Sequence, residues 1–257
     1  AVVVGGCLGT VAAEEKVIID GSTTVEPIAR AFAGVYMSRN PEVTVTVSGT
    51  GSGNGANSLI HGRCDIADMS RFMKKAEFES GVKQGVFPVF HTVAMDGIAV
   101  VVHPSNPVSD LTIKQLRKVY NGSATSWSDI GGPDRDIVGI SRDTTSGTYE
   151  VFSDLVLKGD NMKNVEYVPS NAAIRARVSS TPGGIGYVGL SFVKGVKSLK
   201  INGVSATLKT VGAGRYPIAR PLYMVTDGYP ELGSHMHQIV TMYLSPRGQE
   251  IVTDIGF

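Results

Sequence analysis

Residues 16–32 read KVIIDGSTTVEPIARAF, residues 43–55 read VTVTVSGTGSGNG, and residues 65–71 read DIADMSR. In the first stretch, Lys16 to Asp20 is a short apolar run with the pattern of a buried strand. It enters the polar turn Gly21-Ser22-Thr23-Thr24, and Pro27 then opens a helix, where a missing N–H costs nothing. Ile28, Ala31, Phe32, Val35 and Tyr36 recur at helical spacing and give that helix one apolar face. Asn40-Pro41 stops it, because the residue before proline is pushed out of the helical region. Val43 to Val47 is a run of β-branched and threonine residues, which favours a strand. A glycine-rich turn follows over residues 48–55, then a helix is predicted over Ala56 to Arg63 and a strand over Asp65 to Met69, ending at Ser70-Arg71.

This β-α-β-α-β order predicts a mostly parallel sheet with helices on both faces. In such sheets ligands sit beyond the carboxyl ends of the strands. The turns at 21–24, 49–55 and 70–71 all fall at that edge. A second block repeats the device. Val93 to His103 reads as a strand, and Leu111 to Tyr120 as a helix capped by Ser109-Asp110. Ile137 to Ser141 is a strand, followed by the turn Arg142-Asp143-Thr144-Thr145-Ser146-Gly147-Thr148 and a helix over Tyr149 to Leu157. Asn171 to Val178 reads as a helix and Gly184 to Gly189 as a strand. Residues 216–223 are extended because their prolines forbid helix, and two helices close the chain at Ser234 to Tyr243 and Ser245 to Ile251. With no linker between the blocks, two lobes joined by more than one strand are expected: residues 14–92 plus 222–257, and residues 93–221.

The wider composition fits a globular α/β chain. Of 257 residues, 42% are hydrophobic, which is enough to build a core. The formal net charge is +1, which argues against nucleic acid as a partner. Glycine is abundant, with 31 residues, about one in eight against a usual ~7%, so many tight turns or close backbone approaches are expected. Residues 1–13, AVVVGGCLGTVAA, are small, apolar and uncharged. They read as the remnant of a secretory signal, with Val4-Gly5-Gly6-Cys7 resembling a lipoprotein box. Export with a lipid anchor on Cys7 follows as an expectation, and Cys64 is then a buried free thiol or pairs with Cys7.

Strand-to-helix turns of Gly, Ser and Thr present backbone N–H groups and hydroxyls to an oxyanion. Three occur here, with Arg71 and Arg142 at or beside such turns; guanidinium matches phosphate geometry with paired donors. Competing motifs are weaker. Gly184-Ile185-Gly186-Tyr187-Val188-Gly189 lacks the acidic residue that a dinucleotide site needs. There is no Walker-type loop, and Thr50 breaks a G-x-S-x-G elbow at Ser52. The five histidines are scattered and read as surface or capping residues, Trp127 reads as a core anchor, and no metal cluster is apparent.

In this order the segments 20–27, 49–55, 65–71, 141–148, 181–188 and 216–223, with Leu116 to Gly122 followed by Trp127, resemble the periplasmic phosphate-binding proteins of bacterial phosphate ABC transporters. The resemblance covers Val17 to Phe257. It implies a two-lobed α/β periplasmic-binding-protein (Venus flytrap) fold that closes on one dehydrated phosphate, without cofactor, metal or catalysis. It implies an extracytoplasmic protein that acts as a monomer and delivers phosphate to a membrane permease. Carried over by position, Ser22, Thr23 and Thr24 supply the first turn, Ser52 and the Gly53 N–H the second, Ser70 and Arg71 the third, and Arg142, Ser146, Gly147 and Thr148 the opposite lobe. One position departs. Ser70 stands where the better-studied branch has an aspartate that accepts the proton of hydrogen phosphate, leaving Asp68, Asp143 or Glu150 as candidate acceptors. Alternatives on the same cradle are a molybdate, tungstate or sulfate receptor, or a phosphate-handling enzyme.

Overall fold

The computed structural model describes residues 15–257, so the expected export segment and Cys7 lie outside the described residues. The chain opens as β1 (Glu15–Gly21), α1 (Glu26–Met37), β2 (Val43–Gly49), α2 (Ser52–Ile60) and β3 (Ile66–Met69). Strand β1 pairs in parallel with β2 on one side and β3 on the other. The carboxyl ends of all three therefore converge on one edge. Helix α1 turns Ile28, Ala29, Phe32, Ala33 and Tyr36 inward, and each large apolar side chain so buried contributes about 2–3 kcal/mol.

Helix α3 (Lys75–Lys83) leads into β4 (Pro88–Val102). The second block follows as β5 (Asp110–Leu111), α4 (Ile113–Tyr120), β6 (Val138–Arg142), α5 (Gly147–Phe152), β7 (Val165–Val168), α6 (Asn171–Ser179), β8 (Gly184–Gly189), β9 (Lys197–Ser198), β10 (Lys200–Ile201) and α7 (Leu208–Gly212). The chain returns through β11 (Ala219–Asp227) and ends with α8 (His235–Val240) and α9 (Pro246–Ile255). Strand order is β2-β1-β3-β11-β4-β8-β6-β7, with parallel pairs β1/β2, β1/β3, β6/β7 and β6/β8. The long β4 pairs antiparallel with β11 over its first ten residues, Pro88 to Gly97, and with β8 over Ile98 to Val102. One strand thus serves both halves of a two-lobed fold. One core is drawn from residues 98–218 around Tyr120, Trp127, Phe152 and Tyr187. Another joins residues 17–93 to Leu222, Met224 and the C-terminal helices. Trp127 is fully buried and donates its indole N–H to Gly183 O at 3.0 Å.

Several boundaries differ from the sequence reading for definite reasons. Helix α2 begins at Ser52, four residues before the expected Ala56. Glycines argue against helix, but a Cβ at Gly55 would lie 2.8 Å from Asp20 O and from Gly21 Cα. Close packing of α2 on β1 needs that glycine inside the helix, so packing overrides propensity. Helix α4 is capped by Thr112 in a capping box with Gln115, while Asp110, half of the expected cap, lies in β5. Helix α5 ends at Phe152 and continues as a π turn over Ser153–Leu157. Helix α3 had no apolar periodicity to announce it. His91 is buried rather than at the surface, with Nε2 3.0 Å from Thr226 Oγ1. Cys64 is a buried free thiol, and burial pushes its pKa up to about 12.

Candidate anion-binding site

The ends of β1, β2 and β3 meet the end of β6 and the start of α5. Gly21 adopts φ +139°, and a Cβ there would lie 2.2 Å from Asp68 O, so only glycine lets β1 and β3 approach this closely. Ser22 N–H donates to Asp68 O at 2.7 Å, and Ser22 Oγ accepts from Thr24 N–H at 3.1 Å. This folds the Ser22–Thr24 turn so that two threonine hydroxyls face the other half of the molecule. Ser52, the first residue of α2, accepts from Ser70 N–H at 3.1 Å and lies 3.2 Å from Ser70 Oγ. From the opposite half, Arg142 Nη1 donates to Thr23 Oγ1 at 2.9 Å, and Thr148 Oγ1 lies 3.1 Å from Thr24 Oγ1. Ser146 caps α5 by accepting from Tyr149 N–H at 3.2 Å. Ser22, Thr23, Thr24, Ser52, Ser70, Arg142, Ser146, Gly147 and Thr148 are thus brought together and are all buried.

Two expected donors are placed differently. The Gly53 N–H donates to Thr145 O at 2.9 Å, so it makes a contact between the halves instead of presenting a free donor. Arg71 is buried beside the cradle, but Glu77 takes its Nη1 and Nη2 at 2.8 Å each and Glu150 lies 2.7 Å from its Nε. Carboxylates have claimed this guanidinium. The position beside the threonines belongs instead to Arg220, whose Nη2 donates to Thr148 Oγ1 at 3.0 Å and Thr24 Oγ1 at 3.3 Å. Its Nε and Nη2 donate to Asp96 at 3.1 and 2.9 Å. Asn171, at the start of α6, donates to Thr23 Oγ1 at 3.0 Å and Thr24 Oγ1 at 2.9 Å. The sequence reading missed Arg220, Asp96 and Asn171. An acidic residue inside the apolar run of β4 was a signal for Asp96, since buried carboxylates are rare unless paired. Asn171 carried no signal beyond a helix start.

These contacts decide the chemistry of the hydroxyls. Thr23 Oγ1 accepts from both Arg142 and Asn171. Thr24 Oγ1 accepts from Asn171 and Arg220. With its two acceptor positions filled, a hydroxyl has only its O–H left to offer. The Thr24 O–H is then directed at Thr148 Oγ1, while the Thr23 O–H is left as a donor, suited to an acceptor-rich oxyanion.

The electrostatics point the same way. Arg142 is 1% exposed, makes no ion pair among the described residues, and its Nε has no hydrogen-bond partner there. Burial lowers its pKa and the nearby Asp143 carboxylate opposes this, but a guanidinium stays charged. Tyr187 sets its backbone: the phenol accepts from Arg142 N–H at 3.3 Å, and its ring stacks on Phe152 at 3.9 Å. Burial raises the Asp96 carboxyl, and Arg220 with the Leu190 and Gly97 N–H groups works against that rise. Among the described residues no group of His, Cys, Asp and Glu is arranged to hold a metal ion.

None of the three candidate proton acceptors hydrogen-bonds to the cradle. Asp143 accepts from Thr145 N–H at 2.9 Å in its own turn, and Glu150 is held by Arg71 and Lys74. The Asp68 carboxyl is buried, and neither oxygen has a hydrogen-bond partner among the described residues. Burial first, then the charges of Glu26 and Asp20, push its pKa well above the usual carboxylate range. A raised folded pKa means the folded chain holds a proton that the unfolded chain releases above about pH 4. The stability this acid contributes is therefore present at low pH and lost as pH rises toward its folded pKa. Asp68→Asn is expected to gain melting temperature relative to the wild type between pH 4 and pH 8. Thermal unfolding at both pH values checks this, and a constant difference would contradict it.

Comparisons with known proteins bear on the family and the fold. The profile of the PBP superfamily domain matches residues 9–240. The phosphate-binding protein PstS of Borreliella burgdorferi is 34% identical over 257 residues, covering 95% of this chain and 90% of its own. The chain belongs to the PstS family. PstS of Bacillus subtilis is 31% identical over 218 residues, 84% of this chain and 71% of its own. A substrate-binding protein of Clostridium perfringens, solved with bound phosphate, is 32% identical with a TM-score of 0.86, covering 94% of this chain and 98% of that one. In this PstS-family chain, buried hydroxyls and a guanidinium meet from both halves of the fold.

Proposed function

We propose that the chain is an extracytoplasmic receptor that binds inorganic phosphate between its lobes and delivers it to the permease of an ABC transporter. The observation that carries this reading is Arg142, a buried cation that makes no ion pair among the described residues. An unpaired buried charge is costly, so the site calls for an anion. Its Nη1 touches the Thr23 hydroxyl, the buried hydroxyls of Thr24, Ser52, Ser70, Ser146 and Thr148 complete the proposed cradle, and Ser22 fixes the first turn. The family comparisons support phosphate as that anion. The lobes of the proposal are residues 14–92 with 222–257, and residues 93–221; the receptor acts as a monomer, anchored through Cys7.

Binding needs no covalent step. Each lobe supplies half the donors, so the closed arrangement is favoured in proportion to what the anion gains there over the open one. Closure strips water from the anion, and the hydroxyls, Arg142 and the Ser52 and Ser146 turns replace that water. The chain is a receptor and not an enzyme.

Calorimetry against phosphate, sulfate, molybdate and tungstate tests the reading. Tight heat release with phosphate is expected. No heat with phosphate and tight binding of another anion would reassign the ligand, a pertinent control because Ser70 replaces a carboxylate. Ser52→Ala is expected to weaken phosphate by about 1–3 kcal/mol, because it removes a donor to the anion and leaves Ser70 N–H without its acceptor. Unchanged affinity in Ser52→Ala would place the anion elsewhere.

A further inference from the structure

Arg71 and Glu150 come from different lobes and meet beside the cradle. Arg71 follows β3, and its own lobe fixes its orientation: Glu77 in the first turn of α3 grips Nη1 and Nη2, and Nη1 also donates to Phe72 O at 2.7 Å. Glu77 is itself tied down, accepting from Lys74 N–H at 2.8 Å. The remaining Nε faces Glu150 Oε2 at 2.7 Å, while Lys74 Nζ lies 2.9 Å from Glu150 Oε1. Glu150 sits on α5, the helix that brings Ser146, Gly147 and Thr148 to the cradle. Its side chain is 16% exposed and that of Arg71 6% exposed. Any separation of Thr24 from Thr148 must also pull Glu150 from Arg71. Beside this pair a pocket of about 380 Å³ spans both lobes, lined by Arg71, Lys74, Glu150, Arg220 and Tyr223 among others.

We propose that Glu150 is a latch of the closed form, a positioning residue whose ion pairs with Arg71 and Lys74 set how fast the bound anion is released. The proposal deepens the receptor reading and rests on it for the ligand. The cationic side of the latch stands ready in one lobe, so forming it costs little rearrangement. Breaking it leaves Arg71 with only one of its two carboxylates. Truncating one partner of a largely buried charge pair acts mainly on dissociation.

The experiment measures phosphate association and release by stopped flow in the wild type and in Glu150→Gln across a range of salt. Release is expected to quicken about ten-fold in the variant, with association changed less than two-fold and melting temperature held. Wild-type release should quicken with salt more steeply than the variant's, because the latch is ionic. A structural role alone would move melting temperature and leave the salt slope intact. Equal release rates and equal salt slopes would overturn the latch. A second readout does not depend on phosphate: spin labels at Arg39→Cys and Lys114→Cys, one on each lobe, report the inter-lobe distance without ligand. Cys7 is replaced by serine in both proteins, and Cys64 is buried with a raised pKa that keeps it unreactive toward the label. Glu150→Gln should shift that distribution to longer distances; an unchanged distribution would also overturn the latch. Failure of the wild type to bind phosphate, with the distance shift intact, would sink the receptor reading and leave the latch standing.

Discussion

Arg142→Ala is expected to weaken phosphate binding by about two to four orders of magnitude, corresponding to the roughly 3–5 kcal/mol lost when one partner of a buried charge pair is removed. Three features place it at the top of the scale. It is buried at the end of β6, it has no ion pair among the described residues, and its Nε has no partner there. Removing it also frees an acceptor position on Thr23 Oγ1, so that hydroxyl is no longer held as a donor. Arg142→Lys keeps the charge but loses the planar fork, and should recover only part of the affinity. Calorimetry on the folded variants checks both. Wild-type affinity in Arg142→Ala would show that the anion does not contact it.

Gly147→Ala is expected to cost about a hundred-fold in phosphate affinity while leaving the melting temperature of the ligand-free protein nearly unchanged. A Cβ at Gly147 would lie 2.5 Å from Ser52 Oγ, 2.7 Å from Ser70 Oγ and 3.0 Å from Arg71 Cγ. These atoms belong to the other lobe, so the clash arises only when the lobes meet. Overpacking of this kind costs about 1–3 kcal/mol, and here the cost falls on the closed state. Within its own helix the change is favourable, since alanine outranks glycine there. An affinity loss matched by an equal loss of ligand-free stability would instead mean that Gly147 serves folding and not closure. Gly21→Ala makes the contrast: its contact is with Asp68 O in the same lobe at positive φ, so it should destabilise the chain directly.

The architecture was legible where a pattern is local. The alternation of apolar strands, polar turns and an amphipathic helix in residues 16–71 led directly to three parallel strands with their turns at one edge. The sequence also singles out the turn hydroxyls and Arg142, because anion chemistry recruits Gly, Ser, Thr and Arg at such edges, and the fold gathers them in one buried cluster. The errors have one physical origin, which is tertiary contact. Glycines 53 and 55 read as turn because propensity excludes them from helices, yet both lie in α2, where the close approach to β1 needs glycine at 55. Arg71 read as an anion donor because nothing local shows that Glu77 and a distant Glu150 would occupy it. Arg220 read as part of an extended connection, since its partners Asp96, Thr24 and Thr148 come from three other segments. The turns announced a cradle, while the ring of donors that tunes its hydroxyls came from long-range packing.

A crystal structure of the protein grown with phosphate tests most directly where the anion sits. One tetrahedral anion is expected within hydrogen-bond distance of Arg142 and of the hydroxyls of Thr23, Ser52 and Thr148, with Arg71 still paired with Glu77 and Glu150. A phosphate found outside this cradle, or a closed cleft with Arg142 turned away from the anion, would contradict this placement.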